Sequence, residues 1–115
     1  SDEVEETKRS VIGLEKLNEN DIAYLNGVLS SVKEHKPELT KIIDERSRLF
    51  PESRLFPADR SILFIAIAEI LYFNDIPSAV SVNEAANIAS KYSSEKSATF
   101  ISGILSEIIR EHDNV

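Results

Sequence analysis

The sequence contains no cysteine, no methionine and no tryptophan. The absence of cysteine excludes disulfide bonds, thiolate catalysis and the cysteine-ligated classes of zinc and iron–sulfur site. Histidine occurs at two positions, His35 and His112, which are too far apart in sequence to suggest a histidine-based triad or metal site. We therefore expect no bound metal and no other cofactor, and we expect a protein that is not an enzyme.

Long apolar segments are also missing. No apolar run approaches the roughly 18 to 20 residues that cross a bilayer, and no signal-peptide pattern opens the chain. Ser1 stands where a natural chain would begin with methionine. Ser1 is therefore expected to be a processing product or an expression remnant, with natural sequence preceding it. These patterns predict a cytoplasmic protein that does not contact a membrane.

The charge balance is acidic. The sequence has thirteen basic and twenty acidic residues and a net charge of -7. This negative charge disfavours a general attraction to nucleic-acid phosphates. With 115 residues, of which 42% are hydrophobic, the chain is sufficient for one domain with one core. We expect a single helical domain over residues 1–115.

Apolar residues recur at spacings of three and four, which predicts an all-α fold. A weak helix is expected over residues 2–17, and a second helix after an N-cap at Asn18. We expect Pro37 to break or kink that second helix and to leave a separate piece ending near Arg46. The apolar face of the second helix comprises Ile22, Leu25, Val28, Leu29 and Val32.

The segment from Ser61 to Phe73 is almost wholly apolar, with Glu69 as its one interruption. A helix that is apolar on all sides is surrounded by other helices, so this segment predicts the central helix of the fold. Glu69 is the one residue that favours an enzymatic alternative; we expect it instead to cap a neighbouring helix or to reach the rim. Before this helix, residues 47–57 repeat the pattern SRLFP, which we interpret as a linker that places its leucines and phenylalanines in the core.

Two further helices are predicted after residue 77. Ser81 and Glu84 have the spacing of a capping box, which predicts that a helix starts at Ser81 and ends near Tyr92. Ser94 or Ser97 is expected to cap the last helix, in which Gly103 is expected to allow a neighbouring backbone to approach. The prediction is therefore a compact bundle of five or six helices.

Several short motifs follow one another in a specific order: YLNGVL at 24–29, RLFPADRSIL at 54–63, EILY at 69–72, DIP at 75–77, VSVNEA at 80–85 and GIL at 103–105. This series resembles the NusB family of transcription antitermination factors over most of the chain. The resemblance implies a helical bundle and a non-enzymatic function. It also implies binding to NusE (a small-subunit ribosomal protein) and to a boxA-type RNA, and through these an indirect association with the RNA polymerase elongation complex.

The resemblance also implies site residues. The NusE contact is expected at the start of the central helix, on Asp59 with Arg54 and Arg60. The family's RNA contacts rest largely on an arginine-rich first helix, which residues 1–17 do not supply.

The RNA candidates in this chain are therefore Lys8, Arg9 and Lys96, the last standing where the family usually has an acidic residue. Phe64 stands where the family usually has a basic residue. If Phe64 faces outward, it favours an alternative, a homodimeric interaction domain that has lost RNA binding.

Overall fold

The computed structural model describes residues 19–47, 55–73 and 75–113 of the chain. These ranges hold four helices and no strand: α1 over Glu19–Arg46, α2 over Pro57–Tyr72, α3 over Ser78–Tyr92 and α4 over Glu95–Asp113. The predicted all-α class is confirmed for this part of the chain. The predicted count of five or six helices is not matched, because Pro37 does not divide α1. The helix predicted over residues 2–17 lies outside the described residues.

α2 is the central helix, as the apolar run predicted, and it packs against α1, α3 and α4. It begins with Pro57, which suits a first helical position because the N–H that proline lacks has no partner there. Residues 61–64 and 66–68 of this helix are all buried. The core that forms around them includes Val28, Val32, Leu39 and Ile43 from α1, Ala85 and Ala89 from α3, and Ile101, Leu105 and Ile108 from α4.

The expected interruption at Pro37 is wrong, because α1 continues through it to Arg46. Val32 lies before the proline, and Leu39 and Ile43 lie after it, yet all three are buried in the same core. Their helical spacing keeps both halves of α1 on one face, and Pro37 itself is exposed. Burial of this continuous face offsets the cost of about 3 kcal/mol for an interior proline.

A contact from α2 spans the same position. The rings of His35 and Tyr72 are stacked with their centroids 4.1 Å apart. The Tyr72 hydroxyl donates to Glu38 Oε2 at 3.2 Å, and His35 Nδ1 lies 3.2 Å from the same oxygen. Tyr72 therefore contacts α1 on both sides of Pro37, which helps to keep the helix continuous.

The predicted capping box is also wrong. α3 begins at Ser78 after Pro77, and the Val80 N–H donates to the Pro77 carbonyl at 2.9 Å. Ser81 is therefore in the fourth position of the helix, where it is buried against the core, and no side chain caps this helix. The start signal from Pro77 overrides the serine–glutamate spacing. The predicted end at Tyr92 is confirmed.

Two smaller expectations fail as well. A Cβ atom added to Gly103 would meet no atom within 4 Å, so this glycine does not serve a close backbone approach. In the linker, Leu55 is buried as predicted but Phe56 is 70% exposed. The first copy of the repeated SRLFP pattern lies largely outside the described residues.

Candidate RNA and partner surfaces

The first turns of α2 and α4 meet at a hydrogen bond between two buried side chains. Ser97 Oγ donates to Asp59 Oδ2 at 2.8 Å. Asp59 is 4% exposed and Ser97 is 7% exposed. Each residue is the third of its helix, where free backbone N–H groups favour negative charge. The bond therefore fixes the start of α4 against the start of the central helix.

Serines of the link between α3 and α4 extend this contact. Ser94 Oγ accepts the Ser97 N–H at 3.0 Å, which confirms Ser94 as the predicted cap of the last helix. Ser94 Oγ also donates to Ser97 Oγ at 3.1 Å, and Ser93 Oγ lies 2.9 Å from the same oxygen. The link and the first turn of α4 are thus joined to Asp59 through one hydroxyl group.

An open groove of about 410 Å³ lies along the beginning of α4, lined by Glu95, Lys96, Thr99 and Phe100. Lys96 and Thr99 are exposed and Phe100 is half-buried. The Glu95 carboxylate is hydrogen-bonded to the Ser90 hydroxyl, which orients it towards α3. The groove therefore offers an ammonium group and an aromatic ring side by side. These are the two groups that bind the phosphates and the bases of a single-stranded nucleic acid.

The residues predicted to contact NusE have different environments. Asp59 is buried and bonded to Ser97, so its carboxylate is not exposed to a partner. Arg60 is half-buried, and Arg54 lies outside the described residues. The structure therefore assigns Asp59 an internal contact, whereas the sequence suggested a surface contact.

Of the residues predicted to contact RNA, Lys96 is exposed next to Ser97. Lys8 and Arg9 lie outside the described residues. Since Ser97 is the partner of Asp59, the fold brings the expected partner site and one expected RNA site to a single junction.

At the opposite end of α2, Glu69 lies in an acidic environment. The Tyr24 hydroxyl donates to Glu69 Oε2 at 2.7 Å, and the Tyr24 ring packs edge-on against Phe73 with centroids 5.6 Å apart. Of the two expectations for Glu69, capping a helix is not met, since its partner is a phenol of α1, whereas its partial exposure agrees with a position at the rim. The exposed carboxylates of Asp75 and Glu84 also act on Tyr24. We call Glu69, Asp75 and Glu84, together with Tyr24, the acidic end.

These carboxylates change the proton affinities at the acidic end. Burial raises the pKa of Glu69; the hydrogen bond from Tyr24 opposes this rise, and the charge of Glu84 adds to it. Burial also raises the pKa of Tyr24, as do its bond to Glu69 and the charges of Glu69, Asp75 and Glu84. Tyr24 therefore remains a hydrogen-bond donor at neutral pH. A positively charged group from outside would relieve the repulsion between Glu69 and Glu84.

Phe64 does not face outward. It is 1% exposed and belongs to the core. Lys36 Nζ of α1 lies 6.0 Å from its ring centroid, so α1 covers this part of α2. The homodimer alternative depended on an outward-facing Phe64, and the structure does not support that orientation.

The sequence interpretation missed several of these site residues. The helical spacing of Phe100 matches the buried face of α4 and gives no sign that its ring is partly exposed. Tyr24 was not connected with Glu69, although a buried carboxylate requires a donor and a tyrosine beside an apolar stripe is a suitable one. The tertiary contact between Asp59 and Ser97 had no signal in local spacing.

Comparison with known proteins places the chain in a family. The model of the NusB family matches residues 2–110. The chain belongs to the NusB family. The match includes residues 2–17, the segment that the sequence motifs left without a counterpart.

Individual relatives agree with this assignment. The transcription antitermination protein NusB of Ruminiclostridium cellulolyticum is 43% identical over 94 residues, which are 82% of this chain and 65% of the relative. The protein of the same name from Finegoldia magna is 35% identical over 98 residues, which are 85% of this chain and 72% of the relative. The chain thus spans about two thirds of the length of these relatives.

Two solved structures share the fold. T. maritima NusB superimposes with a TM-score of 0.80 at 24% identity, over 95% of this chain and 87% of the other. A structure of the antitermination factors NusB and NusE in complex with dsRNA gives a TM-score of 0.76 at 21% identity, over 90% and 76% of the two chains. In the described part of this chain, no helix has the length and apolar character to cross a membrane.

Proposed function

We propose that this chain is a non-enzymatic transcription antitermination factor that binds NusE and a boxA-type RNA during the transcription of ribosomal RNA. Through these partners it associates indirectly with the RNA polymerase elongation complex in the cytoplasm. Membership of the NusB family supports the proposal. The observation that carries the RNA-binding part is the groove of Lys96 and Phe100 at the start of α4.

The RNA contact is proposed at this groove because it combines charge and stacking. Lys96 is exposed and contributes a cation to a chain whose net charge is -7, so its contact is local and not part of a wide basic surface. Phe100 offers one half-exposed ring on which a base can stack. Lys8 and Arg9 remain proposed contacts of the N-terminal segment.

The NusE contact is better placed at the acidic end than at Asp59. A protein that also binds ribosomal RNA is expected to carry basic side chains, and the acidic end offers the exposed carboxylates of Asp75 and Glu84, of which Glu84 also repels Glu69. Asp59 is already bonded inside the fold. A NusE contact on Asp59, Arg60 and Arg54 is the alternative that the experiment below distinguishes.

The RNA test is a fluorescence titration of a short boxA-type RNA at two salt concentrations, with and without NusE. We expect salt-sensitive binding that NusE strengthens. Lys96→Glu should weaken binding and reduce the salt slope by at least the value of about 0.7 for one lost phosphate contact. Lys41→Glu is the matched control, because Lys41 is an exposed lysine of α1. Its ammonium group lies 3.9 Å from the carboxylate of Glu45. Equal losses in both variants would contradict the assignment to the groove.

The partner test is an NMR titration with NusE. Resonances of Asp75 and Glu84 should shift, and Glu84→Lys should weaken NusE binding, whereas Glu45→Lys at the other end of α1 should not. Shifts confined to the region around Asp59 and Arg60 would favour the alternative surface. If neither RNA nor NusE bound under any condition, the chain would not be an antitermination factor of this type.

A further inference from the structure

Asp59 is held by one oxygen and leaves the other without a partner. Oδ2 accepts the Ser97 hydroxyl at 2.8 Å, whereas Oδ1 is buried and has no hydrogen-bond partner in the described part of the chain. A buried carboxylate is costly unless its surroundings are electropositive. Asp59 lies in the first turn of α2 and contacts the first turn of α4, so the positive ends of two helix dipoles stabilise it.

The Ser97 hydroxyl has every bonding position occupied. It donates its single proton to Asp59, so its two lone pairs are left for the hydroxyls of Ser94 and Ser93, at 3.1 and 2.9 Å. The Ser97 N–H is bonded to the capping Ser94. Removing the carboxylate would therefore loosen the cap, the link and the first turn of α4 together.

Lys96 and Phe100 belong to this same portion of α4. Lys96 immediately precedes Ser97, and Phe100 lies three residues after it on the next turn. We infer that Asp59 is a positioning residue for RNA binding, which holds the Lys96–Phe100 groove in place through its hydrogen bond to Ser97. This inference rests on the proposed function and changes the role of Asp59 from a surface contact to an internal support.

The test compares Ser97→Ala and Asp59→Ala with Ser81→Ala. Ser81 is a matched control because it is also a buried helical serine, but its hydroxyl has no hydrogen-bond partner among the residues that the structure describes. Loss of a hydrogen bond to a charged group should weaken RNA binding about tenfold in Ser97→Ala and in Asp59→Ala. The double variant should bind no more weakly than either single variant, because both break the same bond. Ser81→Ala should bind as the unaltered chain does.

Two measurements separate positioning from a general loss of stability. Amide hydrogen exchange should accelerate about tenfold over residues 95–100 and remain unchanged around Ile104 and Leu105. Asp59→Asn retains a carbonyl oxygen that can accept the Ser97 hydroxyl, and so should restore most of the affinity that Asp59→Ala loses. If Asp59→Ala does not fold, Ser97→Ala against Ser97→Thr gives the same comparison, because threonine keeps the hydroxyl.

Unchanged RNA affinity or unchanged exchange of residues 95–100 in Ser97→Ala would overturn the inference while leaving the proposed function intact. Additive losses in the double variant would do the same, because they would show that Asp59 does not act through Ser97. If the unaltered chain bound no RNA, the proposed function would fail first and the inference would fall with it.

Discussion

Replacing Tyr24 by phenylalanine removes the hydroxyl that donates to Glu69 Oε2 at 2.7 Å. The ring remains, so its edge-on contact with Phe73 is kept. A hydrogen bond to a charged group contributes about 1.5 to 3 kcal/mol, and Glu69 is partly exposed, so water compensates for part of the loss. We therefore expect Tyr24→Phe to lower the free energy of unfolding by about 1.5 kcal/mol when Glu69 is ionised.

The effect should depend on pH in a defined direction. The pKa of Glu69 is raised above 4.5 in the folded state, so its contribution to stability is greatest below that value and falls as the pH rises through the folded pKa. Among the described residues, the hydrogen bond from Tyr24 is what lowers this pKa. Tyr24→Phe should therefore raise the pKa of Glu69 further and increase the loss of stability that occurs as the pH rises. At about pH 4, where the lost bond is to a neutral carboxyl, the variant should lose only about 0.5 kcal/mol.

Urea unfolding at about pH 8 and about pH 4 measures this difference, provided that the slope of the transition is unchanged. Tyr92→Phe is the control, because Tyr92 is 41% exposed at the end of α3; its effect should stay within about 0.5 kcal/mol at both pH values. In a Glu69→Gln background, Tyr24→Phe should show no pH dependence. A loss that is equal at both pH values, or larger at the lower one, would refute this account of the pair.

Three other substitutions test the fold. Phe64→Arg, which introduces the basic residue usual in the family, should prevent cooperative thermal unfolding because it buries an unpaired charge; a stable variant would show that Phe64 is at the surface. Pro37→Ala should raise the free energy of unfolding by about 1 to 2 kcal/mol, since it restores an N–H for the carbonyl of Lys33, and a fall in the urea midpoint would contradict this. Ser94→Ala should lower the free energy of unfolding by about 1 kcal/mol and should accelerate amide exchange at Ser97. Unchanged exchange would argue against the cap.

Local sequence signals were sufficient where one signal acted alone. The almost wholly apolar run from Ser61 to Phe73 predicted the central place of α2. The spacing that ends at Val32 predicted the buried face of α1, and Ser94 was one of the two serines predicted to cap α4. For the central place of α2 and the buried face of α1, no competing local signal lay within a turn of the correct one.

The failures occurred where a tertiary contact or a second signal intervened. Pro37 is tolerated because Leu39 and Ile43 are buried in the same core as the first half of α1, a gain that local propensity does not contain. At the start of α3, the helix begins directly after Pro77, whereas the serine–glutamate spacing predicted a start at Ser81.

For Phe64, the periodicity itself was uninformative, because a helix that is apolar on all sides has no polar face from which to define an outside. The burial of Asp59 depends on Ser97, and no pattern within one helix connects residues so far apart in sequence.

The two acids of α2 explain how an otherwise apolar helix takes a single position. Apolar contacts are non-directional, so such a helix gains little from one rotation or axial position over another. Asp59 accepts a hydroxyl from α4 and Glu69 accepts one from α1. The two acids are ten residues apart, which is about 15 Å along a helix. Two directional bonds at that separation define both the rotation of α2 and its position along its axis. Each bond also lies beside a proposed binding surface, so the contacts that align the central helix also support the RNA groove at one end and the partner contact at the other.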